Sequence, residues 1–333
     1  MEPQSADTGE RMKRMQLFGL LSKDMDHIEK ELYRSVQGDD ELLTETALHL
    51  LKAGGKRLRP VFVLMGGKFG KYDLEKLKRV AIPLELIHSA SLVHDDVIDD
   101  AELRRGELTV KAKWGDKIAM YTGDYIYAKA LVITAELPNP RIHQILSKAM
   151  VEMSIGEMEQ IRDFFNSEQS VRHYLRRIRR KTALLIAISC QLGALAADAE
   201  PETARLLYNY GYNVGMAFQI RDDLLDLSGT EKQIGKPPGS DMRQGNITLP
   251  VIYSLENAAL RAPLLEELEL IREERAGVGR AIDLILSGDG ISRAEELASR
   301  YIDKALAALD QLPSNRTKRN LRDIAFFVTG RAY

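Results

Sequence analysis

Residues 182–197, TALLIAISCQLGALAA, would form a helix that is apolar on nearly every side. Such a helix must be surrounded either by lipid or by other helices. The segment is shorter than the roughly 20 residues that span a bilayer, and it contains Ser189 and Gln191. We therefore predict the buried central helix of a large helical bundle, in which Cys190 is a small core residue.

Apolar residues recur at helical spacing along most of the chain, whereas the alternation typical of strands is scarce. The pattern predicts helices over about 15–35, 41–53, 58–69, 73–98, 109–136, 140–165, 169–197 and 201–228. A loop rich in Gly and Pro covers about 229–245, and shorter helices follow it. Because no low-complexity linker or repeat divides the chain, we predict one all-α domain over residues 15–333, preceded by a flexible tail of residues 1–14.

Composition excludes several classes of protein. The 333 residues are 44% hydrophobic, and 47 Lys and Arg against 49 Asp and Glu give a net charge of −2. That balance offers no electrostatic reason to bind nucleic acid or an anionic membrane surface. A single cysteine excludes a disulfide framework, and neither a signal peptide nor a transmembrane segment is apparent. We expect a cytoplasmic protein.

Two acidic runs have the same internal spacing. Asp-Asp-Val-Ile-Asp begins at Asp95 and Asp-Asp-Leu-Leu-Asp begins at Asp222, each after a long apolar helical stretch. Helical residues four apart share a face, so Asp99 would lie beside Asp95 and Asp226 beside Asp222. Such pairs repel one another, and the helix dipole disfavours them at a C-terminal end. A solvated helix end would explain either run alone; the repetition favours a magnesium site that also binds phosphate.

Basic residues follow the predicted turns and could supply further charge for phosphate. They are Lys56 and Arg59 in the loop GGKRLRP, Arg104 and Arg105 after the first acidic run, Lys181 beside Thr182, and Lys236 after the second run. Any one of them alone could be an ordinary surface charge, but together they favour a site for two diphosphate groups.

Other basic residues are more ambiguous. His88 lies two helical turns before Asp95, with Ser91 between them, so it could belong to the site or be a packed core histidine. His94 points away from that face. The run 176–180, RRIRR, is interpreted as a largely solvated helix face.

Several motifs resemble those of the all-trans polyprenyl diphosphate synthases, in the same order and spacing from about residue 15 onward. They are GGKRLRP, HSASLVHDDVIDDAELRRG, GDYIYAKAL, GEMEQ, RKTALL, FQIRDDLLD and GKPPGSDMRQGNITLP. The resemblance implies the all-α isoprenoid synthase fold, a single-domain bundle of about ten core helices around a deep central cavity.

The resemblance also implies roles for individual residues. The residues that would bind Mg²⁺ directly are Asp95, Asp99 and Asp222, and those that would support them, in part through water, are Asp96, Asp223 and Asp226. The residues that would hold the allylic diphosphate are Arg104, Lys181, Thr182, Gln219 and Lys236. The residues that would hold isopentenyl diphosphate are Lys56, Arg59, His88 and Arg105.

The implied reaction condenses isopentenyl diphosphate onto an allylic diphosphate, expected to be farnesyl diphosphate. The expected product is a long-chain all-trans polyprenyl diphosphate, heptaprenyl diphosphate for menaquinone. In short-chain relatives bulky aromatic residues one turn before the first aspartate close the cavity. This chain has Ala90 and Ser91 there, with Ile87 nearby, so longer products should pass.

Two alternatives stay open from sequence alone. One is a terpene cyclase of the same fold, although such enzymes typically replace the second acidic run with an Asn/Ser/Glu-type metal motif. The other is a non-catalytic regulatory subunit, although the acidic and basic motifs are intact. Within the family, the resemblance implies either a homodimer or a heterodimer with a small non-catalytic component. The helices predicted over 109–136 and 140–165 are apolar enough to face a partner, although core burial would explain the same pattern.

Overall fold

A computed structural model of the protein describes residues 21–229 and 237–328, and the regular secondary structure in these residues is almost entirely helical. The helices are α1 (Ser22–Ser35), α2 (Glu41–Lys52), α3 (Leu58–Gly67), α4 (Leu74–Ile98), α5 (Val110–Trp114), α6 (Asp116–Ala135), α7 (Pro140–Arg162), α8 (Val171–Ile178), α9 (Leu184–Ala196), α10 (Pro201–Ser228), α11 (Ser240–Arg243), α12 (Leu249–Glu256), α13 (Ala258–Arg272), α14 (Gly279–Leu286), α15 (Gly290–Asp310) and α16 (Arg316–Val328). A two-stranded antiparallel hairpin, β1 (Leu103–Arg104) and β2 (Glu107–Leu108), follows α4. The prediction of an all-α fold is confirmed.

Two of the predicted helices are interrupted. The helix predicted over 109–136 is divided into α5 and α6 at Gly115, whose φ of +85° is outside the helical region. The helix predicted over 169–197 contains a π-helical turn, Arg179–Ala183, between α8 and α9. The boundary of the predicted tail, residues 1–14, lies outside the described residues and stays a prediction.

Two compact units make up the described chain. Unit 1 contains the described residues up to Leu146, together with Ile188–Tyr208 and Ala308–Phe327. Unit 2 contains the described residues of Ser147–Ala187 and Asn209–Ala307, together with Val328. The first acidic run belongs to unit 1 and the second to unit 2.

Unit 1 is organised around α4, which is buried along most of its length and packs against α3 and α6. Close backbone contact joins α3 to the unit 1 part of α9. A Cβ added at Gly66 would lie 2.3 Å from the Cys190 carbonyl oxygen, and one added at Gly193 would lie 2.1 Å from that of Val63. Cys190 is a buried core residue, as predicted.

Unit 2 has a core to which α8, α10 and α12–α15 contribute, with Tyr174 and Met216 among its buried residues. A Cβ added at Gly215 of α10 would lie 2.6 Å from Ala183 Cα, so α10 approaches the π-helical turn closely. In residues 182–197 every residue except Gln191 is buried, as the apolar pattern predicts. Among the described residues no helix combines the length and apolarity that crossing a membrane requires.

Candidate active site

The first acidic run lies where α4 ends. Asp95 and Asp96 occupy its last turn, and the N–H of Asp99 donates to the Asp95 carbonyl oxygen at 2.8 Å. Asp95 and Asp99 are therefore one helical turn apart. The next residue, Asp100, has a φ of +52°, which turns the chain away from the helix.

Arg104 holds Asp96 in place. The Nε and Nη2 atoms of Arg104 each lie 2.7 Å from Oδ1 of Asp96, whose side chain is buried. Burial raises the pKa of Asp96, and the Arg104 guanidinium opposes that rise. Arg104, predicted to hold a diphosphate, thus contacts a member of the first acidic run.

The hairpin brings Arg105 to the glycine-rich loop. Arg105 and Gly106 form its two-residue turn, with φ values of +57° and +84°. The guanidinium of Arg105 donates to the Gly54 carbonyl oxygen, and a Cβ added at Gly55 would lie 2.6 Å from Arg105 Nη1. Two motifs far apart in sequence, GGKRLRP and the RRG of residues 104–106, therefore meet.

Arg57 is held in place by several hydrogen bonds, and it was not among the site residues predicted from sequence. Its side chain is buried and donates to both carboxylate oxygens of Glu29 at 3.0 Å, to Glu85 at 3.2 Å and to the Leu51 carbonyl oxygen at 2.6 Å. Burial would lower the pKa of Arg57, but Glu29 and Glu85 raise it overall. Because Arg57 precedes α3 directly, this network fixes the start of the helix that carries Arg59.

Arg59 and His88 belong to the same electropositive cluster. Burial lowers the pKa of Arg59 to about 10, with Glu85 opposing and Arg105 adding to the decrease. Its Nε atom is buried and has no hydrogen-bond partner within residues 21–229 and 237–328. Burial, together with Arg59 and Arg105, lowers the pKa of His88 well below its usual value, so His88 is neutral at pH 7.

Of the four residues predicted to hold isopentenyl diphosphate, three therefore share one electrostatic environment: Arg59, His88 and Arg105. Lys56 is exposed in the same loop. A small recess beside this cluster is lined in part by Asp96, Arg104 and Arg105. The buried Nε–H of Arg59 has no acceptor among the described residues, and cations surround it. Such a cluster is suited to bind an anionic group such as phosphate.

The residues selected for product length lie on α4 before the first acidic run. Ile87 and Ala90 are fully buried. Ser91 is partly buried, and its hydroxyl donates to the His88 carbonyl oxygen at 2.8 Å.

The second acidic run lies inside α10. Asp222 is exposed, whereas Asp223 and Asp226 are buried. Asp223 accepts from the Tyr174 hydroxyl at 2.6 Å and from Gln219 Nε2 at 2.8 Å.

Burial raises the pKa of Asp223 to about 8; the Asp241 charge adds to this effect, and the two hydrogen bonds oppose it. Asp226 Oδ2 accepts from the Asp241 N–H at 3.3 Å.

The π-helical turn connects this run with the predicted basic residues of unit 2. The Thr182 hydroxyl donates to Gln219 Oε1 at 2.6 Å, which extends the network from Asp223.

Lys181 donates to Glu157 at 2.9 Å and to Gln160 at 3.1 Å, both in the GEMEQ motif. Isolated π-helical turns often occur at functional sites, because they change the direction of nearby side chains. Lys236 lies outside the described residues.

The interpretation of RRIRR as a largely solvated face is wrong. Arg177 is buried and donates to Gln169 at 3.0 Å and to the Ile247 carbonyl oxygen at 2.9 Å. Arg179 and Arg180 both pair with Glu152. The ionic partners of the run lie on neighbouring segments, where a pattern along one helix cannot reveal them.

The donor set in both runs consists of carboxylates, and hard divalent cations such as Mg²⁺ prefer oxygen ligands. No group of three or more His, Cys, Asp or Glu side chains among the described residues is arranged to hold a metal by itself. A pair such as Asp95 and Asp99 fits a cation that takes its remaining ligands from water and phosphate. The meeting of the two runs across a cavity stays a prediction.

Comparison with known proteins agrees with these motifs. Residues 40–285 match the polyprenyl synthetase family. The chain is 54% identical over 322 residues to heptaprenyl diphosphate synthase component 2 of Geobacillus stearothermophilus, covering 97% of this chain and 100% of that protein.

Two crystal structures are also similar. Heptaprenyl diphosphate synthase from Staphylococcus aureus matches with a TM-score of 0.86 and 39% identity, over 93% of this chain and 98% of that one. A polyprenyl synthase from Caulobacter crescentus, complexed with calcium and isoprenyl diphosphate, matches with a TM-score of 0.88 and 33% identity, over 96% of this chain and 98% of that one. The chain therefore belongs to the polyprenyl synthetase family, and it is a prenyltransferase with the all-α isoprenoid synthase fold.

Proposed function

We propose that this chain condenses isopentenyl diphosphate onto farnesyl diphosphate in successive all-trans steps and makes heptaprenyl diphosphate, the side-chain precursor of menaquinone. The observation that carries the proposal is the 54% sequence identity to the Geobacillus component 2, which extends over 97% of this chain. The intact acidic runs support a catalytic role over a regulatory one, and the Asp-rich second run argues against a terpene cyclase.

Members of this family depend in general on a divalent metal, and the proposed metal here is Mg²⁺. The calcium and isoprenyl diphosphate in the Caulobacter structure support a site that takes a divalent cation with a diphosphate. Asp95, Asp99 and Asp222 would be its direct ligands. When bound, it would neutralise the charge that develops on the departing pyrophosphate.

The electropositive cluster of unit 1 is the proposed isopentenyl diphosphate site. Arg59 and Arg105 would pair with phosphate oxygens, and Lys56 would approach from the exposed loop. Neutral His88 can donate one hydrogen bond without adding charge. Arg57 holds the start of α3, so the direction of Arg59 is fixed before the substrate arrives.

The allylic diphosphate is proposed to bind Arg104, Lys181, Thr182, Gln219 and Lys236. Lys181 is oriented by Glu157 and Gln160, while Gln219 is oriented by Thr182 and Asp223. Cations and N–H groups fixed in this way stabilise a leaving group without reorganising. The released pyrophosphate is the proposed base for the final proton, since no general-base pair stands out in the sequence.

A small non-catalytic component is the proposed partner. The name "component 2" in the Geobacillus relative implies a second component in that enzyme. In unit 1, α6 exposes Met120, Tyr121, Leu131 and Val132; in unit 2, α7 exposes Val151, Ile155, Met158 and Ile161. Exposed apolar stripes of this kind support a protein interface. A second copy of the chain is the alternative occupant.

The test is Mg²⁺-dependent pyrophosphate release by the chain alone and after co-expression with the small component of the Geobacillus enzyme. We expect release only when both isopentenyl and allylic diphosphates are present, with the products identified by chromatography after dephosphorylation. Release from the allylic substrate alone would favour a cyclase, and no release in either preparation would favour a regulatory subunit. If the active species elutes as a dimer of this chain, the partner is a second copy of the chain and not the small component.

Product length provides a separate prediction. Ala90→Phe or Ser91→Phe places a large ring one turn before Asp95, and we expect shorter prenols by chromatography. Each helical turn advances about 5.4 Å, near the length of one five-carbon unit. Ala259→Phe, at an exposed position on α13, is the control and should leave the product unchanged. Unchanged product length in both α4 variants would contradict the prediction that a bulky residue at position 90 or 91 closes the cavity and that the small residues there let the product pass.

A further inference from the structure

His94 directly precedes Asp95, yet its contacts are with α6. Its Nε2 atom lies 3.3 Å from the Met120 carbonyl oxygen and 3.5 Å from Asp124 Oδ1. Its ring is tilted against that of Tyr127, with 5.7 Å between the ring centroids. All these partners belong to α6 in unit 1.

Gly123 makes room for this histidine. A Cβ added at Gly123 would lie 2.2 Å from His94 Nε2 and 2.6 Å from its Cδ2 atom. Real Cβ atoms do not approach other atoms so closely, so any larger residue at this position would displace the ring. The glycine in GDYIYAKAL therefore has a specific packing role.

The last turn of α4 needs contacts from outside the helix. The helix ends at Ile98, and among the described residues only the N–H groups of Asp99 and Ala101 follow on to donate to the carbonyl oxygens of Asp95 and Asp96, before and after Asp100 turns the chain. Arg104 anchors this turn through Asp96, and His94 anchors it through α6. Asp95 lies between the two anchored residues.

We propose that His94 is a positioning residue, which fixes the direction of Asp95 by docking in the space that Gly123 leaves on α6. The inference rests on the proposed function, since it gives His94 importance only through the metal–diphosphate site. A misplacement of about 1 Å at a reacting group can lower a rate about 100-fold, so a loosened last turn should be measurable.

The experiment compares His94→Ala, Gly123→Ala and the double variant with the wild type, each co-expressed with the small component. Calorimetry measures the binding of inorganic pyrophosphate with Mg²⁺, and steady-state assays separate kcat from KM. We expect either single variant to weaken pyrophosphate binding about tenfold and to lower kcat at a similar Tm. The double variant should be no worse than His94→Ala alone, because the added methyl group then meets no ring.

Two further variants exclude a general loss of stability. Gly279→Ala adds a methyl group that meets nothing within 4 Å, and it should leave pyrophosphate binding unchanged. His94→Gln retains an N–H that can reach the Met120 carbonyl oxygen, and it should recover part of the lost binding. Wild-type binding in both single variants, or additive losses in the double variant, would overturn the inference. Absence of pyrophosphate binding and turnover in the wild type would instead contradict the proposed function.

Discussion

The two acidic runs share one spacing but are supported in opposite ways. In unit 1, Asp96 is held by the cation Arg104, and the run itself ends its helix. In unit 2, Asp223 is held by the neutral donors Tyr174 and Gln219, and the run lies inside a helix. Burial raises the pKa of both carboxyl groups: the Arg104 charge opposes the rise at Asp96, whereas burial and the Asp241 charge raise the pKa of Asp223 to about 8.

Backbone strain separates the two regions further. Asp100 directly after the first run, Arg105 in the hairpin and Arg57 before α3 all have positive φ values, a conformation that few non-glycine residues adopt. Each such residue costs about 1 kcal/mol or more. The charged site of unit 1 is therefore assembled from turns at a cost in stability, whereas the second run is supported by helix packing. A shared sequence motif does not imply a shared supporting structure.

The test with the largest expected effect asks whether both acidic runs supply ligands to the proposed metal despite their different support. Asp95→Asn and Asp222→Asn should each lower kcat by about 100- to 1,000-fold, because each removes a proposed ligand of the charge-stabilising metal. Asp198→Asn, which breaks an exposed pair with Lys76, is the control and should leave kcat unchanged. Full turnover in either acidic variant would remove that run from the metal site.

The next test exploits the strained hairpin turn. Asn favours the positive φ at position 105, so Arg105→Asn should preserve or raise Tm while raising the KM for isopentenyl diphosphate about 30-fold. The KM for the allylic substrate should change little. Arg275→Asn, at an exposed pair with Glu273, should change neither constant. A drop in Tm together with an unchanged KM would mean that Arg105 is structural and does not bind substrate.

Acid should weaken the support of the first region. The hydrogen bonds and charge of Arg57 outweigh burial and lower the pKa of Glu29, so the folded state binds its proton less readily than the unfolded state. The contribution of Glu29 is therefore present above about pH 4.5 and is lost as the pH falls through the lowered pKa. At pH 7, Glu29→Gln should lower the free energy of unfolding by about 1.5 kcal/mol.

Denaturant unfolding from pH 7 to pH 3 measures this difference, which should shrink below about pH 4.5. Glu273→Gln, from the exposed pair with Arg275, should show a small difference at every pH. A gap between Glu29→Gln and the wild type that stays constant down to pH 3 would contradict an ionised Glu29 in the folded protein.

Much of the fold was predictable because it depends on local periodicity. The all-round apolar segment 182–197 and the ends of α2, α4 and α10 lie within a few residues of the predicted positions. The π-helical turn and the break at Gly115 were missed, since both depend on backbone geometry that residue types specify weakly.

The candidate site was predictable where charges cluster in sequence and not where they meet in space. The acidic runs stood out, but Arg57 was passed over because its partners, Glu29 and Glu85, each lie 28 residues away. Glu85 could have been singled out from sequence, because it is a charged residue within the apolar stretch of α4. The contact between Tyr174 and Asp223 could not be predicted in this way, because the two residues lie 49 positions apart.

The smallest expected effect tests the neutral support of the second run. Tyr174→Phe removes the hydroxyl that donates to Asp223 and leaves a buried oxygen without that donor, which should cost about 1 kcal/mol of stability. Tyr253→Phe is the control, since that ring packs against Arg293 and lies outside this network. Because Asp223 would keep the bond from Gln219, we expect kcat to fall only a few-fold, measured beside Tm. A loss as large as that of Asp222→Asn would mean that the second run depends on one hydrogen bond as strongly as on its proposed metal ligand, and the contrast between the two regions would fail.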